Sequence, residues 1–174
     1  RRTVLVIGTL SSRYDWRLIH EVIAALPGLR FSFVGDVEKD DAASSPSDWR
    51  RWMDLALALP NVERRPLSTH RDHARLSWDA GLNWLPYAPV LPFNQACCPL
   101  KLFTGLASGR PIVSAAIPEC QLYRNWVDVY ESAAHSEVPL IADAVLGPGD
   151  VRRYRGQLLS PQIVKREGLR NERV

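Results

Sequence analysis

The sequence predicts an α/β protein, a three-layer α/β/α arrangement around a mostly parallel sheet. The continuous apolar run "TVLVIG" (3–8), ending in glycine, has the pattern of a strand buried on both faces, and "LRFSFVGD" (29–36) reads as a second strand that again finishes in glycine. Segments with apolar residues at helical spacing lie between such runs. The two kinds alternate along the chain as far as residue 146, which demands crossover connections and helices on both sides of one sheet.

The elements follow in order. After the first strand, "DWRLIHEVIAALPG" (15–28) repeats Trp16, Ile19, Val22, Ile23 and Leu26 at helical spacing and stops at Pro27-Gly28. Strand two (29–36) leads into the polar loop "DDAASSPSD" (40–48), where Ser47 or Asp48 is placed to cap the helix "WRRWMDLALAL". Trp49 and Trp52 read as its face against the sheet. "NVERR" (61–65) is a short strand, and "THRDHARLSW" (69–78) a helix capped by Thr69. "AGLNWLPY" (80–87) is strand four, and the Pro-rich "APVLPFNQ" reads as a loop. In "CCPLKLFTGLASGRPIVS" (97–114), Pro99 takes the first helical position, Ser-Gly-Arg-Pro forms the turn, and "RPIVSA" (110–115) is strand five. A short helix (118–126), a last strand (127–131) and a helix (136–146) complete a domain of residues 1–147. Residues 148–174 form a basic tail without a core face, helical or partly disordered.

Composition narrows the function classes. The 174 residues are enough for one real core, and 46% hydrophobic with 24% charged residues is ordinary for a globular protein. A net charge of +3 with no basic stripe argues against nucleic acid. No apolar run approaches the roughly 20 residues that cross a bilayer. The chain opens on Arg1-Arg2-Thr3 and enters a strand at once, which reads as a piece of a longer protein without a secretory signal. Three cysteines, two of them adjacent, form no disulfide framework and point to a reducing, cytoplasmic compartment. No Cys/His spacing matches a zinc site, so no metal is expected.

Ligands of parallel sheets bind beyond the carboxyl ends of the strands, which singles out the loops after Gly8, Gly35, Tyr87 and Ser114. In "GTLSSRYD" (8–15), Gly8 and Thr9 allow backbone amides to approach an anion, and Arg13 has a guanidinium fork for phosphate oxygens. An ordinary polar turn explains the same residues. The dinucleotide fingerprint and the P-loop are both absent. Lys101 stands in the first turn of a helix, against the positive end of its dipole. It is either an exposed lysine tolerated at small cost or one half of a diphosphate site with the helix amides. Asp36 and Glu38, after strand two, have solvated-loop and ligand-binding readings. His70 and His73 share a helix face but have no third ligand nearby in sequence. No GxSxG elbow is present, and nothing in the sequence pairs Cys97 or Cys98 with a base.

The segment "P-L-K-L-F-T-G-L-A-S-G-R-P-I-V" (99–113) resembles P-x-K-x-x-E-Y-x-A-x-G-x-P-V-V of nucleotide-sugar glycosyltransferases with the two-domain GT-B fold. "VLVIGTLSSRYDWRLI", "ALPGLRFSFVGD", "LPNVERR" and "STHRDHARLSWDAGLNWLPY" are similar to that family's other blocks, in the right order, over residues 3 to 146. The resemblance implies a Rossmann-like carboxyl-terminal half of a GT-B fold. Its ligand is a nucleoside diphosphate sugar, the donor substrate, with no further cofactor. Its partner is an amino-terminal acceptor half absent from this sequence. For the full-length protein it leaves open peripheral contact with the inner face of the membrane. By motif position Lys101 contacts the diphosphate, with Arg13, Gly8 and Thr9 beside it, while Thr104, Gly35 and Leu67 fall on the nucleoside and ribose side. The chain departs from the pattern at Thr104 and Ala96, where glutamates are usual, at Gly105 in place of tyrosine, and at Pro66 in place of glycine. Loss of a carboxylate weakens the grip expected on the ribose. No catalytic residue is assigned. Two alternatives stand beside glycosyl transfer: a non-catalytic nucleotide-sugar-binding module and half of a nucleotide-sugar epimerase.

Overall fold

The computed structural model describes residues 2–39, 48–66, 69–130 and 141. The first unit is β1 (Thr3–Ile7), α1 (Trp16–Ala25) and β2 (Arg30–Val34). Then come α2 (Asp48–Leu57), β3 (Val62–Arg65), α3 (His70–Asp79) and β4 (Leu82–Leu85). The series ends with α4 (Pro92–Gln95), α5 (Leu100–Ser108), β5 (Ile112–Ala115), α6 (Pro118–Gln121) and β6 (Asp128–Tyr130). The predicted tail 148–174, the helix 136–146 apart from buried Ile141, and Leu67 lie outside the described residues.

All five strand pairings are parallel, in the order β3-β2-β1-β4-β5-β6. β1 is therefore central, with β2 on one side and β4 on the other, and the chain reverses its direction of travel between β1 and β4. That reversal opens a crevice at the carboxyl ends of these two strands. Side-chain alternation sorts the two faces. Val4, Val6, Phe31 and Phe33 face α1 and its buried Trp16, Ile19, Val22 and Ile23, whereas Leu5, Ile7 and Val34 pack with Ala80 on the α3 side.

The helix ends follow the side chains available. Asp15 caps α1 by accepting from the Leu18 amide at 3.0 Å, and the Thr69 hydroxyl accepts from the Asp72 amide at 3.1 Å. At the other end of α1, the Asn61 amide points its Nδ2 at the carbonyls of Ile23, Leu26 and Leu29, at 3.3, 3.2 and 3.2 Å. The P-N-V stretch thus satisfies carbonyls that the end of α1 leaves open.

Three local expectations need correction. Pro99 is the N-cap of α5 (φ −76°, ψ 112°), not its first helical residue. The Pro-rich "APVLPFNQ" contains a full helical turn, α4, started by Pro92. α2 packs against α1 rather than lying on the sheet alone: the Trp52 ring is 5.6 Å from the His20 ring and 5.8 Å from the Arg17 guanidinium carbon.

Candidate active site at the strand switch point

The loop after β1 starts at Gly8, whose φ of 122° suits glycine alone. Its amide donates to the Val34 carbonyl at 2.9 Å, and Leu10 and Glu38 carry the β1–β2 pairing outward beyond the strands. Gly35, with φ 150°, is buried against this loop: a Cβ there would sit 2.0 Å from the Gly8 carbonyl oxygen. The structure thus places Gly35 underneath the loop, as a support. Thr9 is exposed on the rim.

In many Rossmann-type sheets the first helix presents free amides to a phosphate. Here the Asp15 carboxylate already occupies that position on α1. The N-cap of α5, Pro99, provides no side-chain acceptor, so the corresponding anion-attracting end is left to α5 and its second residue, Lys101.

The two loops that border the crevice are joined. The Asp15 amide donates to the Pro86 carbonyl at 3.0 Å, the Ala88 amide to the Arg13 carbonyl at 2.9 Å, and Tyr14 and Tyr87 form an antiparallel bridge. The Tyr14 and Tyr87 rings, 5.5 Å apart, form the floor, and Trp16 extends it 5.8 Å from Tyr14. Two cations stand on this floor. The Lys101 ammonium lies 4.8 Å from the Tyr14 ring centre and 5.0 Å from that of Tyr87, and it donates a hydrogen bond to the Tyr14 hydroxyl. The Arg13 guanidinium carbon lies 5.4 Å from the Tyr87 ring and 4.1 Å from the ring of Phe93. Among the described residues neither cation has a carboxylate partner.

Burial drives the Tyr87 phenol well above its ordinary ionisation range; Tyr14 adds to that, and Arg13 opposes it. A neutral ring at this position is the right neighbour for two cations, because its face attracts them without neutralising either. Two positive side chains, without a carboxylate partner among the described residues, thus gather on the Tyr14–Tyr87 floor beyond the carboxyl ends of β1 and β4.

Lys101 therefore meets Gly8 and shares the Tyr87 ring with Arg13, although it is far from both in sequence. A Cβ on Gly8 would come 2.7 Å from the Lys101 Nζ, so glycine there also gives the lysine room. Thr104, one turn further along α5, is half-buried and its hydroxyl donates to the Leu100 carbonyl at 3.3 Å, which leaves the oxygen lone pairs to accept. At Gly105 a Cβ would lie 2.9 Å from Ile112 Cδ1, so the helix approaches β5 closely there. Tyr14, Tyr87 and Asn94 are missing from the sequence-based site. The available signal for the tyrosines was their place in the loops after β1 and β4, Tyr14 just before the α1 cap and Tyr87 just beyond β4.

The cysteines sit on the neighbouring edge. Cys120 is fully buried, and burial pushes its thiol up to about 11. Cys98 is exposed, but partial loss of water and then the Glu119 carboxylate, which hydrogen-bonds it, push its thiol up as well. The carboxylate that the sequence did not show beside Cys98 therefore holds the proton on sulfur instead of activating it.

A fully parallel sheet in this order, with the crevice at its switch point, has the architecture of one half of a GT-B glycosyltransferase. Among individual proteins, the chain is 29% identical over 154 residues to TuaH of Bacillus subtilis (strain 168), which carries the provisional name of teichuronic acid biosynthesis glycosyltransferase. That match covers 86% of this chain and 36% of TuaH. The glycosyltransferase GlyE of Streptococcus pneumoniae TIGR4 superposes with a TM-score of 0.57 at 15% identity, over 82% of this chain and 32% of GlyE. Anabaena Alr3699/HepE, solved in complex with UDP and glucose, gives a TM-score of 0.59 at 14% identity, over 100% of this chain and 49% of its own. No protein-family model matches the chain. The chain spans about a third of the length of TuaH and of GlyE.

Proposed function

We propose that this chain is the donor-binding half of an enzyme that transfers a sugar from a nucleoside diphosphate sugar to an acceptor. The observation that carries the reading is the convergence of Lys101 and Arg13 on one neutral ring at the switch-point crevice. When the bond between sugar and diphosphate breaks, negative charge grows on the departing diphosphate. Lys101 and Arg13, with the first-turn amides of α5 and the loop at Gly8 and Thr9, stabilise that charge, an electrostatic contribution to the rate. Thr104 is assigned to the nucleoside and ribose side, where its oxygen accepts one hydroxyl hydrogen, while Gly35, buried beneath the Gly8 loop, serves that side only as a support. The acceptor and the rest of the cleft belong to a second half of the same protein. The likeness to TuaH and GlyE favours glycosyl transfer over the epimerase and the non-catalytic module. Among the described residues no helix is long and apolar enough to cross a membrane, and contact with a membrane surface is left to the whole protein.

A thermal-shift panel of UDP, GDP, ADP and dTDP against the chain tests the reading. A ligand at tenfold its Kd stabilises by about 1.4 kcal/mol, a measurable rise in Tm. Absence of a shift with all four at millimolar concentration overturns it.

A further inference from the structure

We propose that Asn94 is the positioning residue for Arg13, the side chain that fixes the guanidinium at the edge of the diphosphate site; this rests on the donor-binding reading above. Arg13 stands in a polar surface loop, where a long side chain would ordinarily sample many rotamers and lose that freedom on binding. Here it is held on two sides. Its Nε donates to the Asn94 Oδ1 at 3.1 Å, and its guanidinium carbon lies over Phe93, 4.1 Å from the ring centre. Asn94 itself is fully buried, and its Nδ2 donates to the carbonyls of Arg13 at 2.8 Å and Ala88 at 2.9 Å.

The chemistry of the amide makes this arrangement specific. Two carbonyls need the NH2 group, and the Nε–H needs the oxygen, so one side-chain orientation serves all three contacts. An aspartate could not donate to the carbonyls, and a leucine could not make any of the three contacts. The same residue therefore ties the loop after β1 to the loop after β4 and aims the arginine. Because Nε is the nitrogen used, the two terminal amino groups are left without a hydrogen-bond partner among the described residues. They form the fork that matches two phosphate oxygens. The single turn of α4 starts at Pro92 and carries Phe93 and Asn94 next to each other, one against the guanidinium and one on its Nε.

The test is a double-mutant cycle on the intact chain, read by titration calorimetry with the tightest of UDP, GDP, ADP and dTDP and with its parent nucleoside. Asn94→Ala should weaken the diphosphate about tenfold, in keeping with a misaimed charged contact. It should leave the nucleoside unchanged and lose its effect in an Arg13→Ala background. Arg13→Lys, which keeps the charge but has no Nε–H for Asn94, should weaken the diphosphate nearly as much as Arg13→Ala; this arm decides the matter if Asn94→Ala does not fold. Wild-type binding with a clear Arg13→Ala loss, but an Asn94→Ala loss of equal size in both backgrounds or wild-type affinity in Arg13→Lys, overturns the role of Asn94 alone. Failure of the wild type to bind any of the four diphosphates overturns the donor-binding reading and this inference together.

Discussion

The ammonium of Lys101 donates a hydrogen bond to the hydroxyl of Tyr14, across the gap between the first turn of α5 and the loop after β1. From the sequence alone this lysine is expected to be mildly unfavourable in the free protein, because its charge opposes the helix dipole. The structure revises that expectation. The dipole penalty is about 0.3–1 kcal/mol, and contacts with the Tyr14 and Tyr87 faces return about 0.5–1 kcal/mol each. We predict that Lys101→Ala destabilises the free chain by no more than about 2 kcal/mol. It should weaken nucleoside diphosphate binding by about 1–3 kcal/mol, the range of charge-assisted contacts, and leave the nucleoside unaffected. Calorimetry with both ligands checks this, and equal diphosphate affinity in mutant and wild type returns Lys101 to a surface role.

Tyr14→Phe separates the ring from the hydroxyl. The cation–π face stays and the hydrogen bond goes, so the lysine is still attracted to the floor but its direction is no longer fixed. A loss of diphosphate affinity smaller than that of Lys101→Ala, about 1 kcal/mol, is expected by the same calorimetric comparison. A loss as large as the lysine deletion would mean that the phenol itself contacts the ligand.

Gly35 and Gly109 make a matched pair for backbone strain. Both have positive φ, 150° and 62°. Around Gly109 a Cβ finds nothing within 4 Å, whereas at Gly35 it runs into the Gly8 carbonyl at 2.0 Å. Gly109→Ala should therefore cost only the left-handed backbone penalty, about 1–2 kcal/mol. Gly35→Ala should cost about 3 kcal/mol or more, because backbone must move as well. Urea denaturation of both variants measures the contrast; equal costs would show that the β1 loop yields freely.

Asn61 is expected to be worth more than its surface position suggests. Asn61→Ala removes the donor shared by three carbonyls at the end of α1 and should cost about 1–2 kcal/mol. Asn61→Asp is nearly isosteric but turns a carboxylate toward the same carbonyls, so it should cost more, about 3 kcal/mol. Denaturation midpoints rank the two, and a stable aspartate variant would refute the capping role.

The first strand was legible because burial on both faces of a parallel sheet forces an unbroken apolar run such as "VLVI", and the second because Phe31, Phe33 and Val34 keep most of that pattern around Ser32. Thr69 was legible as a cap because its hydroxyl acts within its own turn. Lys101 stood out because its charge is misplaced for an isolated helix. The remainder of the site depends on contacts between segments far apart in the chain. Nothing local marks Tyr14 and Tyr87 as neighbours, since their bridge forms only once β1 and β4 are paired. α4 is a single turn, too short to show periodicity, and its Pro92 reads equally well as a loop residue. Asn94 carries three contacts that a sequence pattern does not record.

Cys120 makes a prediction for alkaline pH. Its thiol is fully buried, and burial raises its ionisation from the ordinary 9.0 to about 11; the Ser114 hydroxyl opposes the rise, while Cys97, Glu119 and Cys98 add to it. Between these two values the unfolded chain has released a proton that the folded chain still holds. The contribution to stability is thus complete below about pH 9 and is lost as pH rises to about 11, for a total of about 2 kcal/mol. Cys120→Ala loses packing at every pH but has no such decline. The stability gap between wild type and variant should therefore narrow by about 2 kcal/mol from pH 8.5 to pH 11. Tyr87, whose phenol is also raised, titrates in both proteins and largely cancels in the difference. Urea denaturation of the two proteins under reductant at pH 8.5, 10 and 11 measures the gap. A gap that stays constant across this range would show that the thiol ionises in the folded chain as readily as in the unfolded one, and that water reaches the edge of β5 behind the candidate site.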